Sequence, residues 1–172
     1  MVRVMPPSAA GLVLCALLAW ACPAVTEPVT PVDIGSVGPV TRGKVTVTVT
    51  PPVIAERAPI SVTIANGLAA VVYTEDSKTD CSIVFLERKD GEEWTRVGGC
   101  GLERLPAVVA IGARRVRTAR IDPTSFHLGV PEGFPPAIGP GVYRIRFTFR
   151  RTPEPLGIEP EAVFSDPFRI GP

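Results

Sequence analysis

The chain has 172 residues, enough for one domain of ordinary size with a leader and a linker, and short for two. Its 20 prolines and 16 glycines against two methionines and 6% aromatics exclude a helical bundle and point to many short elements joined by turns. The formal net charge is +1, and Arg3 is the only charged side chain before Glu27, so loss of a leader leaves 17 bases against 17 acids. That balance offers no general basic field for nucleic acid or anionic membrane.

The chain opens MVRVMPPSAAGLVLCALLAWAC, with one positive charge and then an apolar run from Ala9 to Ala21. The run is too short to span a bilayer comfortably and has the order of a secretory signal, so residues 1–21 are expected to be a signal peptide and the protein exported. The ending Ala19-Trp20-Ala21-Cys22 resembles the lipobox of bacterial lipoproteins, where a small residue precedes the cysteine that becomes acylated and starts the mature chain. The resemblance implies lipidation of Cys22. Simple cleavage after the small-x-small triplet is the alternative. Residues 22–43 carry four prolines, three glycines and no aromatic residue. Such a stretch cannot bury a core and reads as a Pro/Thr-rich linker or tether.

From Lys44 the pattern becomes β. KVTVTVT alternates with period two, so Val45, Val47 and Val49 share one face and the threonines the other. Pro51-Pro52 stops it. PISVTIANG repeats the alternation with Ile60, Val62 and Ile64 inward, and Asn66-Gly67 turns the chain. AAVVYT, a hairpin, AVVAI, RRVRTARI, GVYRIRFTFR and AVFSDPFRI follow. These short strands, with no helices for crossovers, predict an antiparallel β-sandwich of seven to eight strands over residues 44–172.

The hairpin is SIVFLERK and EEWTRV around Asp90-Gly91, a pair suited to a tight two-residue turn. Its arms converge on Cys81 and Cys100. Cys15 departs with the signal, so lipid on Cys22 leaves an even pair in an oxidising compartment. Neither the four ligands of structural zinc nor a CxxC redox spacing is present, and a Cys81–Cys100 disulfide is expected.

ISVTIANGL, VFLERKDGEEWTRV, IGPGVYRIRFTFR and a last short strand together resemble the bacterial immunoglobulin-like domains of exported lipoproteins, over Lys44 to Ile170. In PGVYRIRF, Tyr143 follows a Pro-Gly turn at the start of a penultimate strand. That placement is similar to the tyrosine corner of such sandwiches, and implies a hydroxyl hydrogen bond to nearby backbone. The cysteines depart from the antibody pattern, lying about a hairpin. The resemblance implies an adhesive, scaffolding or binding role rather than catalysis.

A search for chemistry supports no enzyme and no cofactor. The single histidine, His127, shares a turn-rich segment with Ser125 and Asp122, and neighbours in one loop seldom converge as a catalytic trio. No GxSxG, HExxH or phosphate-binding loop occurs. Glu75, Asp76 and Asp80 lack the spacing of a calcium loop. Arg115 and Arg117 alternate on one strand, and Arg144, Arg146 and Arg150 on another. Each row suits the solvent face of a half-buried strand; Arg144, Arg146 and Arg150 are the candidate binding surface. The expected function is a non-catalytic, membrane-anchored envelope protein that binds a protein or surface polymer and no nucleic acid. The alternative is a secreted inhibitor presenting the Pro/Gly-rich loop from Asp122 to Gly141 to a hydrolase.

Overall fold

The computed structural model describes residues 35, 36, 38–101, 105–123, 138–153 and 159–171. Residues 1–21, expected to be a signal peptide, together with Cys22, Ser125 and His127, lie outside the described residues. Among the described residues the fold is all-β, with 11 strands. They are β1 (Val45–Val49), β2 (Val53–Ala55), β3 (Ile60–Asn66), β4 (Val72–Glu75), β5 (Phe85–Asp90), β6 (Glu93–Val97), β7 (Val108–Ile111), β8 (Val116–Ile121), β9 (Gly141–Phe149), β10 (Glu161–Phe164) and β11 (Phe168–Gly171).

The expected seven to eight strands undercount this set for two physical reasons. Pro51-Pro52 ends β1, but immediately after it Val53–Ala55 pairs in parallel with β11, a strand too short to register as a period. The final segment, read as one strand, is split by Ser165-Asp166-Pro167, where proline has no N–H to give. Ser165 carries the ladder across the break. Its backbone N–H donates to Ile145 O at 2.9 Å, and its hydroxyl accepts the Ile145 N–H at 2.9 Å.

One sheet has the order β1-β3-β8; a six-stranded sheet runs β2-β11-β9-β5-β6, with β10 also on β9. β4 and β7 form a separate pair, tied to the end of β9 where Tyr73 and Arg150 exchange backbone hydrogen bonds of 2.9 and 2.8 Å. The two larger sheets close on one core. Val45, Val47, Ile60, Val62 and Ile64 enter from one side, and Leu86, Tyr143, Ile145, Phe147 and Phe149 from the other. All of these are buried, and each full burial of such a side chain contributes about 1.5–3 kcal/mol. Val49 is packed on the core's margin.

Tyr143 is wholly buried, and its hydroxyl donates to Gly139 O at 2.6 Å, as the corner reading required. Burial chiefly raises its pKa. Gly67 sits where a Cβ would lie 1.8 Å from Thr41 O, so only glycine lets the segment before β1 cross the end of β3. That segment is bound to the domain: Gly43 N–H donates to Gly67 O, and Ser36 bridges Val116.

Cys81 and Cys100 form the expected disulfide, closing a separation of 19 residues around the β5–β6 hairpin. By loop-closure entropy such a link contributes on the order of 3 kcal/mol. The turn differs by one position from its expected place. Asp90 pairs with Glu93, so Gly91 and Glu92 form the loop, with Gly91 at φ +60° as the first central residue.

Candidate binding surface

The outer face of the six-stranded sheet carries the unusual chemistry. Along β9 the odd positions Tyr143 to Phe149 enter the core, which sends Arg144, Arg146 and Thr148 outward. Strand register then fixes their neighbours: Glu87 lies opposite Arg144 and Arg96, Phe85 opposite Arg146, and Phe164 opposite Arg146 on the other side. A solvent-facing sheet usually presents polar side chains here. This one interleaves three aromatic residues with arginines.

Arg144 is the keystone. Its guanidinium carbon stands 4.4 Å from the Trp94 ring centre and 4.2 Å from that of Phe164, while its Nε donates to Glu87 Oε2 at 2.7 Å. The expectation that Arg144 stays in water is therefore corrected: its side chain is 23% exposed, lying within an aromatic layer. Trp94 is half-buried on this outer face and not in the core. The cause is parity: Val97 points inward, so period two turns Trp94 and Arg96 outward. Arg96 stacks over Phe85 at 3.9 Å. Arg146 reaches Glu87 Oε1 only at 3.8 Å, too long for a hydrogen bond.

Below this layer lies Lys78, 5% exposed. Its ammonium donates to Thr74 Oγ1, to Ile83 O at 3.1 Å and to Thr148 O at 3.2 Å. The Phe85 and Phe147 ring centres are 5.5 and 5.7 Å away. Burial lowers its pKa from 10.5 to about 8; Glu75 opposes the shift, and Arg150, Arg146 and Arg96 add to it. Below pH 8 folded and unfolded chains both hold this proton. Between about 8 and 10.5 only the unfolded chain does, so stability rises with pH across that window, by about 3 kcal/mol in full. Urea melts at about pH 7.5 and about pH 10 should show the wild type gaining roughly that much relative to Lys78→Met. A gap independent of pH would place the Lys78 pKa near its ordinary value.

Arg150 lies beyond the strand end, with Nη1 on Glu75 Oε1 at 2.8 Å. The small open cleft between Arg150 and Lys78 has a volume of about 30 Å³, space for roughly two waters.

Of the predicted surface residues, Arg144 and Arg146 share one sheet face and Arg150 adjoins it. Arg117 lies on β8 in the other sheet, and Arg115 immediately precedes that strand. The acidic trio does not converge: Glu75 pairs with Arg150, Asp76 Oδ1 accepts the Ala107 N–H at 2.7 Å, and Asp80 Oδ2 accepts the Asp122 N–H at 2.9 Å. No group of three or more metal-ligating side chains occurs among the described residues. Reading arginines alone missed Phe85, Glu87, Trp94, Arg96, Phe164 and Lys78. Parity within the hairpin was the available signal for Trp94 and Arg96; Phe164 and Lys78 arrive through long-range pairing.

No family model and no curated protein matches the sequence. Among solved structures, the chain is similar to a β-glucosidase from Listeria innocua in complex with gluconolactone, at 14% identity over 75% of this chain and TM-score 0.31. It spans 16% of that enzyme's length. The periplasmic chaperone SfaE is 13% identical over 74% of this chain and 55% of its own, with TM-score 0.33. AvmM, which catalyses macrocyclization in alchivemycin A biosynthesis, is 16% identical over 75% and 88%, with TM-score 0.29. At these scores the likenesses bear on no activity, substrate or partner of this chain.

Proposed function

We propose that this chain is a non-catalytic, exported envelope protein, anchored by lipid on Cys22, whose immunoglobulin-like domain binds a protein or surface polymer through the outer face of the six-stranded sheet. The observation that carries the reading is the Trp94–Arg144–Phe164 layer. It places large aromatic and cationic groups from β6, β9 and β10 together on a solvent-facing side. Aromatic residues and arginine are the side chains that interfaces favour.

Three further features support the reading. The order β1-β3-β8 against β2-β11-β9-β5-β6 follows the immunoglobulin arrangement of two sheets, departing from it where β7 pairs with β4. The Tyr143 to Gly139 hydrogen bond suits the tyrosine corner. The Cys81–Cys100 disulfide suits an oxidising compartment.

The test combines anchor and surface in the native envelope. Mass analysis should find Cys22 acylated at the mature N-terminus, and photo-cross-linking should capture a product that Phe164→Glu abolishes and Arg120→Glu, on the other sheet, leaves. An unmodified N-terminus at or beyond Cys22 removes the anchor. A product unchanged by Phe164→Glu removes the surface.

A further inference from the structure

Five cations, Lys78, Arg96, Arg144, Arg146 and Arg150, gather on or beside one sheet face, yet their satisfaction is unequal. Arg144 is stacked on two rings and hydrogen-bonded to Glu87, and Arg150 donates to Glu75 through Nη1, although its buried Nε has no acceptor. Lys78 donates to three oxygens. Arg96 is held only by its stack on Phe85, and no carboxylate among the described residues lies within ion-pair distance of it. Arg146 has only its 3.8 Å approach to Glu87, whose other oxygen is already taken by Arg144, and its side chain is 36% exposed, so the end of its fork faces solvent. Solvent-facing guanidinium forks that lack a close carboxylate are suited to a bidentate one from another chain.

We propose that Arg96 and Arg146, flanking the Phe85 ring, form a carboxylate-recognition site for an acidic segment of a protein partner. The inference rests on reading this sheet face as a binding surface and names the chemistry of what it binds. Register supplies the geometry: β6 and β9 lie on either side of β5, roughly 10 Å apart, and both arginines project from the same face. An extended chain places same-side residues roughly 7 Å apart, so one segment presents a carboxylate to each fork. Burial is the main cause of the lowered Lys78 pKa, and Arg150, Arg146 and Arg96 add to it, in keeping with their placement around one region. The concentration is local, because the whole chain has a formal net charge of only +1.

The same geometry disfavours other occupants. A sugar polymer would stack on bare ring faces, whereas guanidinium groups already lie over Phe85, Trp94 and Phe164. A second copy would set this cationic face against itself. An acidic polypeptide meets the open forks without either conflict.

Calorimetric titration of the full chain with poly-L-glutamate tests the site. Binding should weaken steeply as salt rises from about 50 to about 500 mM. Arg96→Gln and Arg146→Gln should each lower affinity by about tenfold, the scale of one lost charge-assisted contact, while Arg120→Gln on the other sheet leaves it unchanged. Arg96 is exposed, so its variant retains the fold and keeps the test decisive. Affinity unaffected by both substitutions overturns the proposal, as does preference for polygalacturonate or for phosphatidylglycerol vesicles over poly-L-glutamate. An envelope product lost in Phe164→Glu but kept in the Arg96→Gln, Arg146→Gln double variant also overturns it, while leaving the broader surface reading standing.

Discussion

Phe147→Ala should lower the unfolding free energy by about 3 to 5 kcal/mol, measured by urea melts. Phe147 has no exposed surface and stacks on Phe149 with ring centres 5.8 Å apart. It also lies beneath the Lys78 ammonium. Truncation therefore removes apolar contact from the centre of the core and leaves a cavity that two facing sheets cannot easily collapse. A loss of that size is a large part of the 5 to 15 kcal/mol that roughly bounds such a domain's stability. Phe164→Ala supplies the contrast. Its ring is 46% exposed on the outer face, so the loss should stay near 1 kcal/mol, from lost stacking on Arg144. Equal shifts for the two variants would refute the assignment of inner and outer faces.

Asn66→Ala should cost a comparable amount, about 3 to 5 kcal/mol, although it deletes only a small polar group. Asn66 is fully buried, and its amide donates toward Ala70 O, Ile111 O and Gly112 O at 2.9, 3.0 and 2.9 Å. Its Oδ1 accepts the Leu68 N–H at 3.0 Å. One side chain thus satisfies the backbone of the turn after β3 and the end of β7. Alanine strands these groups away from water. Asn66→Asp keeps the volume and the acceptor but replaces the donating NH₂ with an oxygen facing three carbonyls, so it should destabilise at least as much. Tolerance of aspartate in the same melts would show that the donors are not what holds this junction.

The contrast between these residues indicates what sequence made readable. Phe147 belongs to a period-two row in GVYRIRFTFR, where geometry ties every second residue to one face, and burial followed directly. Asn66 also stood out, but only as a turn former beside Gly67; its role depends on Ile111 and Gly112, brought near by the β4–β7 pairing. The candidate surface divides in the same way. Arg144 and Arg146 were legible from alternation along β9. Their companions were not, because Phe164 comes from β10 and Lys78 is enclosed by Thr74, Ile83 and Thr148, none of which local pattern can place beside it. Cys81 and Cys100 were legible for the opposite reason: a hairpin is a local structure, and its arms meet whatever the rest of the chain does.

That closed hairpin has a dynamic consequence for the surface it carries. Among the described residues β6 is an edge strand paired with β5 alone, and edges of sheets are where fraying begins. Gly91 fixes one end of the pair. The disulfide fixes the other, helped by Thr79, whose hydroxyl accepts the Leu86 N–H and donates to Val97 O, both at 3.0 Å. A strand released between two such pins can breathe, but it must close again in the alignment it left. Slippage by one residue would turn Trp94 and Arg96 into the core and expel Val97, erasing Arg96 from the face and the ring that stacks on Arg144. The cysteines therefore guard the identity of the surface: each opening of the edge returns the same array of side chains to the solvent.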